Sequence, residues 1–257
     1  MKFIFVIFFS FSTLFMSGCW WEEEDKRESI SMGLSPKAMY VSAQNLLEGG
    51  TFDEAISILE KIQAAYPASK YAIQAKLDII YHLYKRNRYD EGIDLLNEYI
   101  KVYPDHFSTA YALYLRGVIA ENKSKSILDE YDITDNAQRD VSSVKDALNY
   151  YLDLIKKYPN SKYSIEAKSS LVKLRNILSR HELFIAIFYT KNDAHIAAIK
   201  RCKYIIEKFP NTPSVPAALH LIAHNYDKIN AAKLAEDARR VLMLSYPKYI
   251  PHYSLED

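Results

Sequence analysis

Catalysis needs a nucleophile, a base or a set of metal ligands at workable spacing, and few residues of this 257-residue chain offer one. His220 and His224 stand one helical turn apart in His220-Leu221-Ile222-Ala223-His224. Two imidazoles at that spacing share a helix face and could hold a metal. The glutamate that follows the first histidine in a zinc protease is absent, however, and no third ligand lies near in sequence. Two histidines on a half-exposed helix is the reading the residues favour, so no metal and no other cofactor is expected. Asp129, Glu130, Asp132 and Asp135 lack the spacing and the glycine of a calcium loop and read as solvated. Cys202 falls on an apolar face and reads as a buried, inert thiol. There is no Gly-x-Ser-x-Gly and no glycine loop for phosphate. Carboxylates are many, but nothing singles out an acid–base pair. The chain reads as a non-enzyme.

One residue, Cys19, carries a different chemistry. Lys2 is a minimal positive start, and Phe3 to Met16 is an apolar run of signal-peptide length. The run is too short for a comfortable membrane span. Met16-Ser17-Gly18-Cys19 resembles the lipobox of bacterial lipoproteins, with Met16 where leucine is usual. That resemblance implies cleavage after residue 18 and acylation of Cys19. Several buried acyl chains make a stable anchor. Trp20 follows, where an aspartate would mark retention at the inner membrane, so the resemblance implies an anchor in the cell outer membrane with the protein on its periplasmic face. Glu22, Glu23, Glu24 and Asp25 open a polar tether.

Composition bounds the remainder. Hydrophobic residues make up 49% and charged residues 25%, as in a globular chain. The formal net charge is +1, and loss of the first 18 residues removes Lys2 and leaves it neutral, so no nucleic-acid partner is expected. With Cys19 acylated, Cys202 has no partner and no disulfide framework exists. The 21 tyrosines are unusual. Each couples an apolar ring to a polar tip, which suits repeat cores and wet grooves alike.

The elements that place these residues are set by a repeat. An aromatic residue precedes proline at Tyr66-Pro67, Tyr103-Pro104, Tyr158-Pro159, Phe209-Pro210 and Tyr246-Pro247. Before each proline, small and large residues return at fixed offsets: Ala43, Ala55 and Leu59; Gly92 and Leu96; Ala147 and Tyr151; Ala198 and Cys202; Ala223 and Ala235. The tetratricopeptide repeat has this pattern, because small residues let two antiparallel helices approach and a large one fills the gap beside them. Phe52, Ala55, Ile56, Leu59 and Ile62 form one apolar stripe. Gly49-Gly50 separates the two helices of the first repeat, and proline stops each second helix. Arg239 stands at the large position of the fifth repeat, as suits a terminal cap. The second and third intervals between pairs are longer. One holds a first helix from Thr109 to Asn122, with Gly117 as its small contact, then a polar loop. Asp140 is expected to N-cap the next helix. The other holds a helix lengthened to about Ser164–Tyr189. The fold expected is all-α, a right-handed α-solenoid of five tetratricopeptide-like helix pairs. Its parts are a signal peptide (1–18), a lipidated tether (19–34), N-terminal repeats (35–122), an inserted loop (123–143) and C-terminal repeats (144–257).

First helices of such repeats line the concave side. There the first repeat presents Tyr40, Gln44 and Leu47, and the second presents Leu77, Tyr81 and Tyr84. An extended, aromatic-rich peptide would fit such a groove, its backbone groups satisfied by tyrosine hydroxyls. The same tyrosines could equally serve the repeat cores.

Local sequence then narrows the family. Tyr66-Pro67 through Tyr71, Leu77-Asp78-Ile79-Ile80-Tyr81 with Tyr84-Lys85, Tyr114-Leu115-Arg116-Gly117, Arg139-Asp140, Tyr158 to Tyr163, Phe188-Tyr189-Thr190 and Ala197-Ala198 with Arg201 span nearly the whole mature chain. With the lipobox, the inserted loop and the long helix, they resemble the BamD/ComL family of lipoproteins in the β-barrel assembly machinery. The resemblance implies a scaffold whose N-terminal repeats bind unfolded outer-membrane β-barrel proteins, through Tyr66 and Tyr71 beside Tyr40, Gln44, Tyr81 and Tyr84. It implies that the C-terminal repeats dock on the membrane-proximal POTRA domain of BamA, with Arg201 in that contact as a bidentate partner for an acidic residue. Other Bam lipoproteins, where present, are further implied partners. A pilot lipoprotein for secretin assembly is the alternative, although such repeats lack the insertion after Gly117 and the long helix. A lytic transglycosylase would need a lysozyme-like domain with a catalytic glutamate, for which there is no room.

Overall fold

Each aromatic-proline pair ends a helix. The computed structural model describes residues 34–125, 137 and 140–253. Among them are ten helices and no strand: α1 Pro36–Glu48, α2 Phe52–Ala65, α3 Lys70–Lys85, α4 Tyr89–Val102, α5 Thr109–Lys123, α6 Ser142–Lys157, α7 Lys162–Lys191, α8 His195–Lys208, α9 Val215–Lys228 and α10 Ala232–Ser245. The second helix of each pair closes at its aromatic residue, whose φ lies between −123° at Tyr103 and −138° at Tyr246. A proline ring pushes the residue before it out of the helical region, so the aromatic residue keeps its helical N–H bond and then leaves the helix with ψ between 50° and 61°. The fold is all-α and built of tetratricopeptide-type helix pairs.

The turn inside a pair follows its own rule. Gly50, Asn87, Asp193 and Asn230 have φ of 81°, 59°, 54° and 59°. Each lies two residues after a first helix and two before the second. The residue after each donates its N–H five residues back: Thr51 to Leu46 O, Arg88 to Leu83 O, Ala194 to Tyr189 O and Ala231 to Tyr226 O. This left-handed cap satisfies carbonyls that the ending helix leaves open, and Gly, Asn and Asp tolerate it best. The third pair, with its insertion, is the exception among the five.

By packing, the described chain falls into two compact units, one ending at Ile79 and the other beginning at Ile80, within α3. In the first unit, Ser35 accepts the Ala38 amide at 3.3 Å and Pro36 opens α1. Met39 and Ala43 of α1 are buried with Ala55, Leu59 and Ile62 of α2 and with Ala72, Ala75 and Leu77 of α3. Two sequence expectations need correction here. Phe52 begins the apolar stripe but is 39% exposed, at the first position of α2. Leu77, expected on the groove, is a core residue instead, because Tyr81 and Asp78 take the outer side of α3.

The second unit has two apolar clusters that α7 spans. Ala167, Leu174 and Leu178 of α7 join Leu113, Ala147, Tyr151 and Leu154, while Ala186 joins Cys202, Ile205, Ala218 and Leu221. At 30 residues, α7 is long enough to enter both. Its buried polar groups are satisfied: Ser179 Oγ meets Thr212 Oγ1 at 2.6 Å, and Asn225 Nδ2 donates to Thr190 Oγ1 at 2.8 Å. Gly117 is the closest approach of α5 to α6. A Cβ there would lie 2.9 Å from Tyr151 Cζ and nearer still to other ring carbons, so the fully buried Tyr151 requires glycine. Helix α6 begins later than expected, with Val141 at the N-cap. Asp140, one residue earlier, still accepts the Ser142 amide at 2.9 Å and its hydroxyl at 2.7 Å. Arg239 is exposed and paired with Asp227, consistent with its place in the last helix pair.

Candidate binding surfaces

In the first unit, two of the expected residues, Tyr40 and Gln44, converge on a carboxylate with a third donor, Gln74. Tyr40 Oη donates to Asp78 Oδ2 at 2.6 Å and Gln44 Nε2 to the same oxygen at 2.9 Å, while Gln74 Nε2 donates to Asp78 Oδ1 at 3.0 Å. Tyr40 and Gln44 are one turn apart on α1, and Gln74 and Asp78 one turn apart on α3, so the helical period builds the cluster. Burial, then the Asp78 carboxylate, raise the Tyr40 hydroxyl well above the usual tyrosine value, so it stays a donor. Tyr71 lies beside Tyr40, ring centroids 5.5 Å apart, with the Lys70 ammonium 5.3 Å from the Tyr71 centroid. Tyr66 is held otherwise: it caps α2 and its hydroxyl donates to Leu34 O at 3.1 Å. Asp78 was not among the candidate residues of the sequence. Its signal, a carboxylate four residues after Gln74 on a tyrosine-rich helix, is legible only once α1 is known to face it.

In the second unit, Tyr81 and Tyr84 pair at 6.1 Å, and Lys85 Nζ sits 5.5 and 5.9 Å from their ring centroids. Tyr81 is 37% exposed, whereas burial raises the Tyr84 hydroxyl above its usual value. Hydroxyls that stay protonated, beside exposed ring faces, can accept and donate to a peptide backbone while stacking on its side chains. A further aromatic group, absent from the sequence candidates, joins α5 and α7: Tyr114 stacks on Tyr163 at 5.4 Å and 26°, and Tyr111 flanks Tyr163 at 5.5 Å.

Arg201 lies on α8, where its Nη1 donates to Glu182 Oε2 of α7 at 3.0 Å. The Glu182 side chain is only 10% exposed and that of Arg201 43%. The guanidinium therefore has a partner within the chain, and one of its five donors is spent on it. On the same α7, Phe184, Ile185, Phe188 and Tyr189 line a cavity of about 330 Å³ with His181 and Ala137. Phe188 is 62% exposed.

The other chemistry-bearing residues are structural. Cys202 is buried, and burial pushes its thiol up to about 12. His220 Nδ1 meets the Tyr253 hydroxyl at 2.8 Å, and burial lowers both His220 and His224 below the usual imidazole value. Among the described residues no cluster of three or more potential ligands stands ready for a metal, and no helix is long and apolar enough to cross a membrane. Cys19, the signal peptide, the tether before Leu34 and the acidic residues from Asp129 to Asp135 lie outside the described residues.

Comparison with known proteins gives a consistent result. The model of the YfiO family, described as outer membrane lipoprotein, matches residues 32–242. Among curated relatives, an outer membrane protein assembly factor BamD of Neisseria gonorrhoeae is 33% identical over 87% of this chain and 84% of its own length. Proteins of the same name are 27% identical in Xylella fastidiosa, over 92% and 80%, and 30% identical in Pasteurella multocida, over 79% and 78%. Likeness to solved structures is looser. The TPR2AB domain of yeast Sti1 in complex with pHSP90 is 13% identical, with a TM-score of 0.45 over 83% of this chain and 78% of that one.

Proposed function

This chain belongs to the outer membrane lipoprotein family whose curated members are named outer membrane protein assembly factor BamD, and on that premise we propose that it is a non-catalytic scaffold with two binding surfaces. Its role is in outer membrane protein assembly, and it is associated with the outer membrane. Acylated Cys19 holds the chain on the periplasmic face. Tyrosine-rich first helices bind extended segments of unfolded β-barrel proteins, and the α7–α8 region docks on the membrane-proximal POTRA domain of BamA.

The observation that carries the client-binding part is the tyrosines that each of the two units presents. Tyr81 offers an exposed ring with Tyr84 beside it, and Tyr40 carries a hydroxyl fixed by Asp78. Rigid, amphipathic side chains of this kind lose little entropy on binding and suit a segment that alternates aromatic and polar residues. For docking, an exposed Phe188 beside an apolar cavity has the form of an interface anchor, and Arg201 keeps donors beyond its bond to Glu182.

The test is a pull-down of the acylated protein from detergent-solubilised outer membranes. Charge reversal at Arg201 would set a second carboxylate beside the nearly buried Glu182, so Arg201→Lys and Phe188→Ser are the better variants. A POTRA-bearing barrel protein should be recovered with wild type and depleted with both variants. Recovery of a secretin in its place would contradict the BamA reading. Undiminished recovery with both variants would remove the α7–α8 region from the contact.

A further inference from the structure

The stacked pair Tyr114 and Tyr163 has an exposed carboxylate close by. Glu166 follows Tyr163 by three residues on α7, so both project from one face of the helix. Glu166 is exposed, and among the described residues no lysine or arginine lies within ion-pairing distance of it. Its carboxylate stands beside the Tyr114 hydroxyl, which burial first and Glu166 next push up to about 12. Neither ring is needed to fill the core beneath. Tyr151, Leu113 and Leu174 do that, while Tyr114 and Tyr163 remain half-buried at its edge.

Resting on the client-binding reading above, we propose that Tyr114, Tyr163 and Glu166 form a subsite for one lysine or arginine side chain of the bound extended segment. A cation above an aromatic face is attracted by the ring quadrupole, and a neighbouring carboxylate adds an ion pair. A client carboxylate would meet Glu166 as a like charge. A neutral side chain would gain only the ring contact. Lys162 Nζ of the chain itself lies 4.9 Å from the Tyr163 centroid, and a client cation would take its place there. The other nearby cations are committed elsewhere, Lys85 over Tyr81 and Tyr84 and Lys125 beside Glu121 at 3.9 Å.

The test uses two synthetic peptides of alternating tyrosine and threonine, identical except for a central lysine or norleucine. Their dissociation constants are measured by fluorescence anisotropy on the detergent-solubilised, acylated full chain. The lysine peptide should bind wild type about tenfold more tightly. In Glu166→Gln the lysine preference should fall to about threefold, the share left to the rings, with an unchanged melting temperature as the check on folding. Equal binding of both peptides to wild type would overturn the subsite and leave client binding intact. A lysine preference undiminished in Glu166→Gln would also overturn it. If neither peptide binds wild type, the client-binding reading falls together with the subsite.

Discussion

Tyr151 and Tyr114 have ring centroids 6.0 Å apart, yet one belongs to the architecture and the other to the surface. Tyr151 is 1% exposed, abuts Gly117, and donates its hydroxyl to Glu121 Oε2 at 3.0 Å. It stands at the large position before Pro159, where the repeat demands bulk. Tyr114 lies on the first helix of the same pair, and nothing in the repeat rule demands it. The difference shows how a fold with so many tyrosines divides them. In this third pair the second-helix tyrosine fills the core, and the first-helix tyrosine stays half-buried at its edge.

The largest expected effect tests the architectural member. Tyr151→Ala should cost about 4 kcal/mol of unfolding free energy, read by denaturant melts, because it empties a large core position and strips Glu121 of its donor. Gly117→Ala approaches the same junction from the other side and should cost about 2 kcal/mol through overpacking. If Gly117→Ala were neutral, the close approach of α5 to α6 would be wrong. Tyr114→Leu should cost only about 1 kcal/mol, the scale of a lost aromatic pair. It should weaken binding of an aromatic peptide while Tyr151→Phe does not. Equal loss of binding from both would erase the distinction.

A smaller effect is read with pH. Folded Tyr114 titrates near 12, whereas an unfolded tyrosine titrates near about 10. Between those values the unfolded chain loses the proton and the folded chain keeps it. Stability from this group is thus full below pH 10 and declines as pH rises towards 12. Cys202 acts in the same sense, its thiol pushed up to about 12, so stability falls further above the ordinary thiol range. At pH 8 a disulfide reagent should label Cys202 no faster than the chain opens. Rapid labelling of the folded chain would show that the α8 core is not closed.

Much of the fold was legible because the signals were local. An aromatic-proline pair stops a helix wherever it stands, and Ala55, Leu59, Ala198 and Cys202 are buried where the repeat offsets put them. The start of α6 was missed by the width of an N-cap: Asp140 bonds Ser142, but from one position further out. The left-handed turns at Asn87, Asp193 and Asn230 carry a weaker signal than the Gly49-Gly50 pair, because Asn and Asp tolerate a positive φ without requiring it. The candidate site was less legible. Tyr40 and Gln44 followed from helical phase, but Asp78, which unites them, depends on how α3 meets α1. Leu77 failed for the same reason, since phase alone does not say which side of α3 faces the core. Arg201 was expected to meet a partner's acid, and its bond to Glu182 is a tertiary fact that no spacing foretells.

The central claim is that first-helix tyrosines receive unfolded β-barrel clients. The most direct measurement is site-specific photo-crosslinking in outer membranes of growing cells. A benzoylphenylalanine replaces Tyr81 in one variant and Leu244, 78% exposed on the last helix, in another. Adducts with newly made barrel proteins from Tyr81, and few from Leu244, are the result expected. No client adduct at Tyr81, or equal yields at both positions, would contradict it.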